Sequence, residues 1–344
     1  MPIRTLPSRA IADASIQAVD IASNSISKAK IDADTRLGLQ NDSIILDGTD
    51  GAGANKGDFL TLNGTDNSST NADDRILFDE TFRQSTTDNQ KIPFVDYLNL
   101  KGIVPGIKVD MGAKDLAGFE GEKITEGLDG LKARLDEYYN LGARFAKWRA
   151  VITIGESMPS DACIHANAHA LARYAALCQD SNIVPIVEPE VLMDGDHPIE
   201  LTLEKTSKTL SIVFDHLNFL DVYLEGIILK PSMVIEGVNC PKKNDSKMIA
   251  SSTIKCLSEN VPQDVPGIAF LSGGQSDDDA TNNLNEMNIQ SQDNNWKLTF
   301  SYGRALQQAA MTFWSGKDEN IESAKKIVME RAKVNSLAAA GKLS

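Results

Sequence analysis

Beyond residue 75 the chain alternates short apolar runs with longer amphipathic stretches, and this rhythm narrows the fold more than any other feature. Strand then helix, repeated, builds a parallel sheet, because each helix carries the chain back to begin the next strand in the same direction. The apolar runs predict strands at 75–78, 103–109, 145–154, 184–191, 222–230, 267–272 and 298–301. Between them the spacing predicts helices over 128–141, 160–180, 204–216, 247–259 and 319–337. Seven strands are one short of a closed (β/α)8 barrel, which takes about 250 residues. The expectation is therefore an α/β chain folded as a (β/α)8 TIM barrel that lacks its usual first strand, unless the segment ahead of residue 75 supplies it.

That segment has a different character. Isoleucines fall at Ile11, Ile16, Ile21, Ile26 and Ile31, a period of five that fits neither helix nor strand. Leu46-Asp-Gly-Thr-Asp50 returns as Leu62-Asn-Gly-Thr-Asp66 among Gly, Asn, Ser and Asp. Such composition buries too little apolar surface to offset the entropy of ordering. Residues 1–74 are expected to form a low-complexity extension, disordered or fibre-like, ahead of a barrel at 75–344. Ser43-Ile-Ile-Leu46 is its candidate strand.

A net charge of −14 gives nucleic acid and anionic lipid little reason to approach, so any anionic substrate must meet a local cluster of cations. No window reaches about 18 continuous apolar residues, and Met1-Pro-Ile-Arg-Thr5 lacks the apolar core of a secretory signal. Cys163, Cys178, Cys240 and Cys256 lie too far apart for a zinc knuckle or redox dithiol and read as free thiols. Together these point to a soluble, cytoplasmic protein with no nucleic-acid or membrane partner.

Barrels of this kind gather their chemistry at the carboxyl ends of the strands. There Tyr223-Leu-Glu-Gly-Ile-Ile-Leu-Lys230 delivers one lysine just before Pro231, which ends the strand. An amine in apolar surroundings beside other cations gives up its proton more readily, and a neutral amine attacks a carbonyl to form a Schiff base. Phe145-Ala-Lys147-Trp-Arg149 places two cations two residues apart, hence on one face. Val187-Glu188-Pro-Glu190 does the same with two carboxylates, and Lys108 and Asp110 close another strand. Leu271-Ser272-Gly273-Gly274 and Phe300-Ser301-Tyr302-Gly303-Arg304 offer glycine turns whose backbone N–H groups suit a phosphate. His165 and His169 share a helical face, but the residues between them lack the glutamate of a metalloprotease helix; His197 sits in a loop. With four histidines in the chain, a zinc cluster is not expected.

Several of these motifs, in order, carry a resemblance: Gly106-Ile-Lys-Val-Asp110, Glu126-Gly-Leu-Asp-Gly-Leu131, Phe145 to Arg149, Ile183-Val-Pro-Ile-Val-Glu-Pro-Glu190, Tyr223 to Val234, Phe270-Leu-Ser-Gly-Gly-Gln-Ser276 and Thr299-Phe-Ser-Tyr-Gly-Arg-Ala-Leu306. From about residue 75 onward the chain resembles class I fructose-bisphosphate aldolase. The resemblance implies that Lys230 is the Schiff-base lysine, with Lys147 beside it and Glu188 and Glu190 as acid/base groups. It implies that Ser272, Gly273, Ser301, Gly303 and Arg304 hold one phosphate of fructose 1,6-bisphosphate, and Lys108 and Arg149 the other. It further implies a metal-independent lyase without cofactor, a phosphorylated sugar substrate and a homotetramer.

The resemblance has one gap. The Ala-Asp-Glu-Ser type of motif that ends the family's first strand is missing before residue 75, and Met111 replaces a usual lysine. Asp47 is too close to residue 75 to replace the lost aspartate and leave room for the intervening helices. A second reading thus stays open here: an impaired barrel fused to a structural repeat, binding sugar phosphates without turnover. Another Schiff-base lyase acting on a different phosphosugar is a third.

Overall fold

A computed structural model describes residues 42–46, 60–64, 85–86, 91–291 and 295–343, the first two stretches as backbone. The chain divides into two compact units, Met1–Leu77 and Phe78–Ser344. In the first, β1 (Asp42–Leu46) pairs antiparallel with β2 (Leu60–Gly64), Ile44 opposite Leu62, as a separate two-stranded sheet. The candidate strand at 43–46 is β1. The strand expected at 75–78 lies outside the described residues.

The second unit opens with α1 (Phe94–Leu100) and β3 (Gly106–Lys108), followed by a small hairpin of β4 (Ala113–Asp115) and β5 (Lys123–Thr125). Strand and helix then alternate: α2 (Leu131–Asn140), β6 (Phe145–Ile152), α3 (Asp161–Asp180), β7 (Val184–Val191), α4 (Ile199–Phe219) and β8 (Ile228–Leu229). The series continues through α5 (Ser246–Asn260), β9 (Gly267–Phe270), α6 (Asp277–Gln290), β10 (Lys297–Phe300), α7 (Arg304–Trp314) and α8 (Ile321–Ala339). Six strands form one sheet in the order β10-β9-β8-β7-β6-β3, every described pairing parallel. Each strand lies beside its predecessor in the chain, the arrangement that repeated βα units produce.

The expected strand at 222–230 shrinks to Ile228 and Leu229. Upstream, Leu224–Gly226 forms a 3-10 turn, and the Gln179 side chain takes both backbone groups of Tyr223, accepting from its N–H at 3.0 Å and donating to its carbonyl at 2.8 Å. Those groups are satisfied without a neighbouring strand. Conversely α6, which the sequence reading did not place, is capped by Ser276 Oγ accepting from the Asp279 N–H at 3.1 Å and starts with three aspartates at the positive helix end.

The core lies between sheet and helices. Trp148, Tyr174, Leu131, Leu135, Leu210 and Phe270 are fully buried there. On β6 burial alternates, with Ala146, Trp148, Ala150 and Ile152 inside, and Trp148 meets Tyr174 of α3 at 5.6 Å between ring centroids. α8 docks through the buried Asn335, whose Oδ1 accepts from Thr281 Oγ1 of α6 at 2.8 Å. No helix among the described residues is long and apolar enough to cross a membrane.

Candidate active site

The alternation of β6 sets the site. With Trp148 turned to the helices, Lys147 and Arg149 must leave the other face, as period-2 spacing requires. On β7 every residue after Val184 is buried, and Glu188 and Glu190 are 3% and 7% exposed. Carboxylates that deep need cations. In register, Arg149 lies opposite Glu188 and Val151 opposite Glu190. The ion pairs nonetheless run diagonally, each cation reaching one pleat onward: Lys147 Nζ lies 3.2 Å from Glu188 Oε2, and Arg149 Nε pairs with Glu190 Oε2.

Lys230 directly follows the two-residue strand β8. Its N–H donates to the Val187 carbonyl at 2.7 Å, extending the ladder by one residue, and Pro231 lacks the N–H to continue it. Its Nζ lies 3.0 Å from Glu188 Oε1. Glu188 therefore bridges two lysines, one on each oxygen. Burial raises its carboxyl pKa, but Lys147 and Lys230 outweigh burial and hold it below the usual carboxylate range. Glu188 Oε2 accepts no hydrogen bond among the described residues, Lys147 meeting it as an ion pair only.

Asp110, just past β3, anchors the other side. It lies 2.8 Å from Lys108 Nζ and 3.8 Å from Lys147 Nζ, and accepts the N–H groups of Gly112 at 3.0 Å and Arg149 at 3.2 Å. Burial opposes its charge, yet Lys147 and then Lys108 prevail and hold its pKa below the ordinary value. For Arg149, burial lowers the pKa but Glu190 more than offsets it, leaving it raised. Four cations thus face three carboxylates, one positive charge in excess on a chain of net −14. Lys108 and Asp110 are both legible as strand-end charges two residues apart, the same signal as Lys147 and Arg149, but the sequence reading gives a role only to Lys108.

A second group forms after β9 and β10. The turn at Ser272 is closed by Gln275, whose backbone N–H and Nε2 both donate to the Ser272 carbonyl, at 3.2 and 3.0 Å. Gly273 sits at φ +58°, a left-handed conformation that glycine adopts without strain. The Ser301 N–H donates to the Phe270 carbonyl at 2.8 Å, tying the next turn to β9. Arg304 opens α7 and donates Nη2 to the Gly273 carbonyl at 2.8 Å, while a Cβ added to Gly303 would meet nothing within 4 Å. Backbone N–H groups and a helix start beside an arginine can receive an anion.

Elsewhere, His165 and His169 face outward from α3, with His165 Nδ1 3.1 Å from His216 Nε2. All four cysteines are free and buried. Among the described residues no group of His, Cys, Asp and Glu could hold a metal ion. Asp47 lies outside the described residues.

A parallel α/β sheet with lysines and carboxylates interlocked at its strand ends, and glycine turns after the next strands, fits the class of barrel enzymes that gather their chemistry at the carboxyl ends of the strands. Comparison with known proteins narrows the class. The family model of class-I fructose-bisphosphate aldolase matches residues 44–344. A probable class 1 fructose-bisphosphate aldolase of Xanthomonas campestris is 59% identical over 253 residues, 73% of this chain and 75% of that one. A cytosolic fructose-bisphosphate aldolase of Arabidopsis thaliana is 50% identical over 248 residues, 72% of this chain and 63% of that one. Among solved structures, fructose-bisphosphate aldolase from Plasmodium falciparum, in complex with TRAP and a small-molecule inhibitor, superposes with a TM-score of 0.75 at 46% identity, covering 78% of this chain and 77% of that one. The chain belongs to the class-I fructose-bisphosphate aldolase family, and its fold is the (β/α)8 barrel of that family. The family match begins at residue 44, inside the stretch that the sequence reading set apart as an unrelated extension.

Proposed function

We propose that this chain cleaves fructose 1,6-bisphosphate reversibly to dihydroxyacetone phosphate and glyceraldehyde 3-phosphate through a Schiff base on Lys230. The observation that carries this reading is the shared carboxylate: Lys230 and Lys147 approach the two oxygens of Glu188 at 3.0 and 3.2 Å, in a largely buried cluster of net positive charge. Lys230 Nζ attacks the ketone carbon, its proton passing to Glu188. The carbinolamine loses water with a proton supplied from the Glu188 and Glu190 pair, leaving an iminium. When the C3–C4 bond breaks, the iminium nitrogen takes up the electron pair and a carboxylate takes the C4 hydroxyl proton. Glyceraldehyde 3-phosphate leaves; the enamine is protonated and hydrolysed, freeing Lys230. Lys147 serves proton transfer and steadies charge on Glu188. The nitrogen acts as electron sink, so the reaction as written calls for no metal or cofactor.

Ser272, Gly273, Ser301, Gly303 and Arg304 bind the ketose-side phosphate in this reading, and Lys108 and Arg149 the other. Residues 1–74 form an appended segment and 75–344 the barrel. The subunit works as a homotetramer in the cytoplasm; relatives in Arabidopsis thaliana and Pisum sativum named cytosolic or cytoplasmic support the location. A coupled assay of cleavage tests the substrate, comparing fructose 1,6-bisphosphate with fructose 1-phosphate. A preference for the bisphosphate supports two phosphate sites; equal rates on both would remove the second. Sedimentation equilibrium tests the tetramer.

A further inference from the structure

The Gly273–Gly274 turn is already occupied. Met193, just beyond β7, lays its thioether along it, and the Gly274 N–H donates to Met193 Sδ at 3.0 Å. A Cβ added to Gly274 would fall 2.9 Å from that sulfur and one added to Gly273 3.7 Å from it, so the glycines make the room that the thioether fills. On the carbonyl side of the turn, Arg304 is held by Gly273 O at 2.8 Å. The amide that would receive a phosphate is thus taken by a protein acceptor, and the guanidinium beside it is tethered to the same turn through Nη2.

We propose that Met193 is a gate on this anion cradle, a positioning residue that holds the Gly274 N–H while the site is empty and must swing away before phosphate can bind. The inference rests on the reading of the turn as a phosphate site. Three features favour a gate over a structural prop. The turn keeps its shape without Met193, since Gln275 closes it onto the Ser272 carbonyl and Asn283 Nδ2 of α6 donates to Gln275 Oε1 at 2.7 Å. Methionine has three freely turning bonds, so it can leave at small cost. A thioether is a weak acceptor, and a phosphate oxygen outbids it for the same N–H.

The test pairs two substitutions of similar length with opposite expected signs. Met193→Leu removes the competing acceptor, and Met193→Gln supplies a stronger one. For the full chain, calorimetry with inorganic phosphate should give a dissociation constant lowered roughly 2- to 10-fold by Met193→Leu and raised by a similar factor by Met193→Gln, the range one hydrogen bond allows. KM should move with it, leaving kcat within about twofold, as expected for a ground-state effect. Unchanged phosphate affinity in both variants, or a shift of the same sign in both, overturns the gate. Phosphate binding is read without turnover, so an enzyme that labels normally at Lys230 yet shows no gate loses this inference alone. A chain that never labels but shows the opposed shifts loses the Schiff-base reading alone.

Discussion

Lys230 and Lys147 come from different strands yet meet on one side chain, Lys230 Nζ 3.0 Å from Glu188 Oε1 and Lys147 Nζ 3.2 Å from Glu188 Oε2. The carboxylate keeps two ammonium groups close together in a buried place where they would otherwise repel each other. In the proposed mechanism it also carries protons between Lys230 and the substrate.

Glu188→Gln keeps the shape and removes the charge. The two lysines then face each other without compensation, and proton transfer at Lys230 loses its partner. We expect kcat to fall about 10²- to 10⁴-fold, the range for loss of a general acid/base. Steady-state cleavage of fructose 1,6-bisphosphate checks it; a loss under threefold would remove Glu188 from the proton path.

Stability should depend on acid in a defined way. Asp110 and Glu188 are both held below their ordinary pKa when folded, so each contributes stability that is complete above its unfolded value and lost as pH falls through its folded value. With unfolded values of about 3.9 and 4.3, the loss begins below roughly pH 5. Asp110→Asn should lower the melting temperature at neutral pH and flatten its decline at lower pH. Parallel melting curves for the two proteins from pH 6 to pH 3 would contradict this.

Arg304 reaches the Gly273 carbonyl from the start of α7, beside the turn read as a phosphate cradle. Arg304→Ala should raise KM about 10- to 100-fold, the worth of one charged hydrogen bond, with a smaller change in kcat. A fall in kcat at constant KM would place Arg304 in the chemistry instead.

Trp148 is fully buried on the helix-facing side of β6, opposite its chain neighbours Lys147 and Arg149, and its Nε1 has no hydrogen-bond partner among the described residues. Trp148→Ala should cost about 3–5 kcal/mol by leaving a cavity against Tyr174. Trp148→Phe loses no hydrogen bond and should cost about 1–2 kcal/mol. Denaturant unfolding distinguishes the two; equal costs would mean that the indole N–H matters after all.

Where burial pattern and sequence pattern coincide, the chain was readable. The run 184–191 is apolar but for two glutamates, and it is a strand over those same residues. The two-residue spacing of Lys147 and Arg149 put them on one face because β6 alternates without a break. Several elements escaped, among them α1, the β4–β5 hairpin, α6 and α7. The polar run of α6 conceals its buried Ala280, Leu284 and Met287, whose i, i+4, i+7 spacing is the helical signal beneath the aspartates and asparagines. Residues 222–227 look like strand because they are mostly apolar, but Gln179, distant in sequence, takes both backbone groups of Tyr223, and Leu224–Gly226 turns as a 3-10 helix. Tertiary partners of that kind leave no local mark. Asp110 did leave one, and its role follows from the same two-residue rule as its neighbours.

The most direct test of the account is covalent. The full chain is incubated with dihydroxyacetone phosphate, reduced with borohydride, and its peptides are mapped by mass spectrometry. The account predicts a stable adduct on Lys230, absent from Lys230→Met. An unmodified Lys230, under conditions that label another class I aldolase, would contradict it.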